Sequence, residues 1–110
     1  MIRYNLEDFK KNGVTQEDAD FVLSGDFSAF QDHGYSERGN PRTIHVGWNE
    51  DGTRILEFCV EYFEDGSEYV YEGGEGSESV TLQSGDEWVY HGMKAGPRSI
   101  KIFQKHFKKT

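Results

Sequence analysis

An α+β domain is what this sequence predicts, and three observations carry the prediction. Ile44, Val46 and Trp48 alternate with Thr43, His45 and Gly47, and Leu56, Phe58, Val60 and Tyr62 alternate with Ile55, Glu57, Cys59, Glu61 and Phe63. The two runs are split by Asn49-Glu50-Asp51-Gly52, so residues 43–63 read as a β-hairpin closed by an Asp-Gly turn. Helix-start signals precede the hairpin, and an apolar stripe at helical spacing closes the chain. With 110 residues, the whole of 1–110 is one domain with a single core.

Asn5 and Thr15 have the character of helix N-caps. Glu7 and Asp8 follow the first cap and Lys10 and Lys11 come later, the order the helix dipole favours. Thr15-Gln16-Glu17-Asp18 is a near capping box, and Ala19, Val22 and Leu23 give a helical face. Two short N-terminal helices are therefore expected, at about 6–11 and 16–24, ended by Gly13 and Gly25. Residues 26–42 show no period and read as loop. Beyond the hairpin, short strands are expected at 68–72, 79–83 and 87–91, separated by Gly-containing turns. Short connections between consecutive strands predict an antiparallel meander of four to five strands. Pro97 opens a C-terminal amphipathic helix whose apolar face is Ile100, Phe103, Gln104 and Phe107.

Glu68-Tyr69-Val70-Tyr71-Glu72-Gly73 and Glu87-Trp88-Val89-Tyr90-His91-Gly92 echo one another. Either two aromatic strands converge in composition, or Gly73–Asp86 is an insertion adding a hairpin to a smaller sheet. Gly73-Gly74-Glu75-Gly76 is loop chemistry, because a phosphate loop needs a following Lys-Ser/Thr and a helix start.

The net charge of −8 is unevenly spread. Residues 50–87 hold 12 acids against one base, Arg54, whereas residues 92–110 hold six bases and no acid. Such a chain is a poor nucleic-acid binder overall. The lone Cys59 excludes an internal disulfide and fits a reducing compartment. No apolar run is long enough to span a membrane and no signal-peptide pattern opens the chain, so a cytoplasmic protein without membrane association is expected. His33, His45, His91 and His106 are scattered without metal-ligand spacing; no metal and no cofactor is expected. His45 falls out of phase with Ile44, Val46 and Trp48 and is assigned to the less buried face.

Several stretches, in order, resemble the BrnT-like branch of the RelE/ParE toxin superfamily. Phe9-Lys10-Lys11-Asn12-Gly13-Val14-Thr15-Gln16-Glu17-Asp18-Ala19 is similar to the opening of that family. Glu37-Arg38, Ile44-His45-Val46-Gly47, Gly52-Thr53-Arg54-Ile55-Leu56-Glu57 and His91-Gly92-Met93-Lys94-Ala95 follow in the family's order. Met93 stands where the family pattern has arginine, and Gly73–Asp86 lies outside the resemblance. The resemblance implies a metal-independent ribonuclease neutralised by an antitoxin. It assigns catalysis to Arg38, Arg54, His91 and Lys94, as base, acid and phosphate-neutralising cations for RNA.

A second reading comes from the acids. Glu57, Glu61, Glu68, Glu72 and Glu78 would form one exposed carboxylate face. Such a face can imitate a phosphate backbone and block the groove of a basic nucleic-acid-binding protein, as phage-encoded anti-CRISPR inhibitors do. A protein partner is expected on either reading.

Overall fold

Ile55–Tyr62 forms the middle strand, β4, of a five-stranded mixed sheet. The computed structural model describes residues 1–64, 66, 68–72 and 79–107. Its elements in chain order are β1 (Ile2–Tyr4), α1 (Leu6–Lys11), α2 (Gln16–Leu23), β2 (Ser28–Tyr35), β3 (Pro41–Trp48), β4, β5 (Tyr69–Tyr71), β6 (Val80–Leu82), β7 (Glu87–Lys94) and α3 (Pro97–Phe107). The main sheet runs β1-β7-β4-β3-β2, while β5 and β6 pair only with each other. Among the described residues, the class is α+β with three helices, the last of them C-terminal. Among the described residues, no helix is long and apolar enough to cross a membrane.

The β3–β4 hairpin turns as its sequence demands. Gly52 sits at φ +68, the left-handed region glycine enters without strain. The Asn49 side chain accepts the N–H groups of Thr53 and Arg54 at 2.9 and 3.1 Å and so closes the turn. Thr15 and Asp18 at the start of α2 exchange reciprocal bonds of 3.1 and 3.0 Å, side chain to backbone N–H.

The expected meander is corrected in three places. After β4 the chain leaves the sheet, builds the β5–β6 hairpin, and returns so that β7 takes the place beside β4. Leu82 of that hairpin is fully buried with Phe63 and Trp88, so this part of 73–86 belongs to the core. The Gly73–Gly76 loop lies outside the described residues. The sheet is mixed because β1 pairs parallel with β7, Ile2 facing Glu87. Three residues are too few to show a period. β2 is likewise absent from the periodic reading: it is an edge strand, and its residues from Phe30 onward are exposed, which erases the alternation.

Both faces of the sheet are covered. On the first face, Phe9, Val14, Ala19 and Val22 from the α1–α2 region pack on Leu56, Phe58, Val60 and Val89. On the second, Ile102 and Phe103 of α3 pack on Ile44, Val46 and Cys59. The inward stripe of α3 thus runs through buried Ser99 and half-buried Ile102 and Phe103, rotated from the expected Ile100–Phe107 stripe; Phe107 is exposed. The rotation follows from Ser99 bonding Glu57 on the sheet, which fixes which side of the helix faces inward.

Two covered faces also change the place of His45. It stands opposite Phe58 on the first face, stacked against Phe30 with ring centroids 5.5 Å apart, and Nε2 lies 2.8 Å from Thr43 Oγ1. Burial pushes its pKa down from 6.5 to about 4. In that window the unfolded chain binds a proton that the folded chain refuses, so stability falls as the pH drops from 6.5 towards 4. Urea melts at roughly pH 7 and pH 5 are expected to differ through His45 by on the order of 1–2 kcal/mol. His45→Gln should lose that share of the pH dependence; an unchanged slope would place the imidazole in solvent.

Candidate active site

Among the described residues, the two covers on the second face pack on different parts of it, with Tyr90 against both. α3 lies over Ile44, Val46 and Cys59, the β5–β6 hairpin lies over Phe63 and Trp88, and a strip of sheet stays open between them. A cleft of ≈ 550 Å³ runs beside α3, with Arg42, Glu57, Tyr90, His91, Arg98 and Ser99 in its wall. A second, of ≈ 360 Å³, runs beneath β5, with Asn5, Arg38, Tyr69, Tyr71 and again Arg42 and Tyr90.

A bulge in β7 builds the junction. Cys59 pairs with His91 but Val60 pairs with Val89, which leaves Tyr90 as the extra residue. Bulges re-aim side chains. Tyr90 ends beside the Cys59 thiol and the Arg42 guanidinium, and burial first, then the neighbouring Cys59, raises its pKa to about 12. Burial likewise raises the Cys59 thiol to about 11, so it stays protonated and a poor nucleophile.

His91 sits between two carboxylates from different elements. Its Nδ1 is 3.4 Å from Oδ2 of Asp8 on α1, and its Nε2 is 3.5 Å from Oε2 of Glu57 on β4. Asp8 is fixed by the Gly92 N–H, which donates to Oδ2 at 2.9 Å. Glu57 is fixed through Oε1, which accepts the Gly96 N–H at 3.0 Å and the Ser99 hydroxyl at 2.8 Å. A carboxylate at the start of α3 also suits the helix dipole. Oε2 remains for His91. The arrangement is an imidazole oriented on one nitrogen and coupled to a proton acceptor on the other, which suits proton transfer next to a bound group.

The remaining sequence-assigned residues are dispersed. Arg38 is taken up by Glu61: Nε and Nη2 reach its two carboxylate oxygens at 3.0 and 2.7 Å. The same guanidinium lies 4.2 Å from the centroid of Tyr69 and so ties the β2–β3 loop to β5. Arg54 donates to the Gly13 carbonyl at 3.2 Å and lies 3.6 Å from Asp18, bracing α2. Lys94 ends β7 opposite Leu56, exposed and outside the walls of both clefts. Of the four cationic candidates, His91 alone faces the cleft beside α3.

The exposed acidic face is corrected. Glu61 is 2% exposed, and Ser36 and Asn40 also donate to it, each at 2.9 Å. Burial raises its pKa, but the hydrogen bonds from Arg38, Asn40 and Ser36 outweigh burial and hold it below the usual range. Glu57 is engaged by α3 as described. Glu68 and Glu72 are exposed, and Glu78 lies outside the described residues. Alternation placed Glu57 and Glu61 together on one face; there Glu61 is buried and Glu57 is half-buried in the cleft wall, so neither stands on an open carboxylate surface.

Asp8, Arg42 and Tyr90 were not singled out by the sequence reading. Arg42 carried a signal: it shares the phase of Ile44, Val46 and Trp48, a cation at an inward strand position. The contact of Asp8 with His91 joins residues 83 apart and leaves no local pattern. Among the described residues, no group of three His, Cys, Asp or Glu side chains is arranged to hold a metal ion. No protein-family model, curated protein or solved structure matches this chain.

Proposed function

We propose that this chain is a ribonuclease of the BrnT-like toxin kind, acting in the cytoplasm and neutralised by an antitoxin partner. The observation that carries the reading is His91 held between Asp8 and Glu57 in the wall of a cleft that also contains Arg42 and Arg98. The ordered resemblance of the segments around Phe9–Ala19, Arg38, Ile44–Gly47 and His91–Ala95 supports it.

The chemistry is transesterification within RNA. Glu57 Oε2 takes the proton of the 2′-hydroxyl, and the oxygen attacks the adjacent phosphorus. The bond from phosphorus to the 5′-oxygen breaks, and His91 in its imidazolium form donates the Nε2 proton to that oxygen. The products are a 2′,3′-cyclic phosphate and a 5′-hydroxyl end. The proton now on Glu57 returns to His91 across their 3.5 Å separation and resets the pair. Asp8 positions the ring through Nδ1. Arg42 and Arg98 supply positive charge in a protein of net −8, so RNA binding rests on local cations and weakens with salt.

The acidic-mimic reading is the weaker one, because two of its five carboxylates, Glu57 and Glu61, are turned inward and occupied.

Induced expression of wild type is expected to arrest growth, and the purified protein to cut RNA in EDTA, leaving cyclic phosphate ends. His91→Gln should slow cleavage about 10²–10⁴-fold without lowering the melting temperature. RNA left intact by wild type, or cut equally fast by His91→Gln, would remove the reading.

A further inference from the structure

The strip between α3 and the β5–β6 hairpin leaves one polar group unanswered. Among the described residues, Nε of Arg42 is buried and has no hydrogen-bond partner. Its charged neighbours are engaged: Glu61 by Arg38, and Glu57 by Gly96, Ser99 and His91. Arg42 faces Glu61 across the β3–β4 ladder, yet Arg38 holds both oxygens of that carboxylate. A buried guanidinium N–H without an acceptor is unfavourable by itself. What resolves it is a ligand rich in acceptor oxygens, and guanidinium is matched to phosphate in shape and charge.

The position of Arg42 narrows the ligand. It lines both clefts, so a group bound there reaches His91 and Glu57 on one side and Tyr69 and Tyr71 on the other. Free phosphate would use one side. A chain of anionic links and flat rings uses both, because every base has a face that stacks on aromatic side chains. We infer that Arg42 anchors a phosphodiester of single-stranded RNA at the junction of the two clefts, with a neighbouring nucleobase in the trough walled by Tyr71 and by Tyr69, whose ring carries the Arg38 guanidinium. The choice of RNA rests on the ribonuclease reading; the anchor rests on the unpartnered Nε and the joined clefts. Neither residue of the trough was assigned a role by the sequence, and β5 gains one as the wall of a base subsite.

The test uses the full chain and a short 2′-O-methyl oligoribonucleotide, which lacks the attacking hydroxyl and cannot be cut. Its abasic counterpart and inorganic phosphate are the other two probes. Wild type is expected to bind the oligonucleotide best, the abasic chain less well and phosphate least. Arg42→Gln should weaken oligonucleotide binding by about tenfold or more and lower the slope of log affinity against log salt by about 0.7. Arg42→Lys keeps the charge without Nε and should fall between. Thermal melts establish that each variant is folded. Equal affinity of wild type and Arg42→Gln overturns the anchor, and equal affinity for the full and abasic chains overturns the base trough. Binding through Arg42 by a wild type that cuts no RNA supports the anchor and sinks the ribonuclease reading alone.

Discussion

Phe58→Ala is expected to destabilise the domain by about 3–5 kcal/mol, a large part of the roughly 5–15 kcal/mol available to a domain. Phe58 is fully buried at the middle of β4. Its ring meets Phe9 edge-to-face, 5.4 Å between centroids at 72°, and so joins α1 to the sheet. Across the ladder stands Gly92, where a Cβ would fall 2.4 Å from Phe58 Cε1. The phenyl ring occupies the volume a side chain at 92 would need. Truncation therefore empties two positions at once, and the cavity term is added to the lost transfer energy. Urea melts measure the loss; a value under about 1 kcal/mol would mean the neighbours collapse to fill the space. The contact of Asp8 with His91 should loosen with the loss of stability, because α1 carries Asp8 and the Gly92 N–H holds it.

Removing Arg38 is expected to be nearly as severe, about 2–4 kcal/mol for Arg38→Ala. The variant leaves the Glu61 carboxylate buried without its cation, with only Asn40 and Ser36 donating to it. Partial exposure of Arg38 lets water offset some of the loss, which keeps the figure below the range for a fully buried pair. The double replacement Arg38→Met with Glu61→Leu removes both charges and should recover most of the stability. A double-mutant cycle tests this directly. The Glu61 carboxyl is held below its ordinary pKa, so its contribution is present above the unfolded value and disappears as the pH falls through the folded one. Arg38→Ala should show a smaller loss in acid than at neutral pH. Additive single effects with no recovery in the double variant would show that Arg38 acts through its stacking on Tyr69 instead.

These two positions also mark where the sequence was and was not legible. Phe58 was readable, because alternation and an Asp-Gly turn specify a hairpin through local chemistry alone. The α+β class and the C-terminal helix came from the same kind of signal. Alternation says which residues share a face; it does not say whether that face is covered. Glu57 and Glu61 were grouped correctly and given the wrong surroundings, since Gly96 and Ser99 at the start of α3 take up the first, and Ser36, Arg38 and Asn40 of the β2–β3 connection take up the second, from elsewhere in the chain. β2 was hidden because an edge strand with exposed side chains needs no apolar phase. At the candidate site, resemblance had marked His91, and the structure places it in the wall of the cleft beside α3. Its partners Asp8 and Glu57 meet it only through tertiary folding, and Arg42 was legible only as a cation in an apolar phase.

The two separate covers on the second face have a consequence for how such a protein can change over generations. The first face is a continuous apolar contact in which Phe9, Phe58 and Gly92 constrain one another's volume, so a change at one of them requires a matching change at another. The open strip is bordered by a helix and a hairpin that reach the sheet through turns. Lengthening the hairpin, or exchanging Arg42 or Tyr71, reshapes the clefts while the opposite layer stays packed. The constraint that keeps the scaffold and the room to vary are thereby set on opposite sides of one sheet.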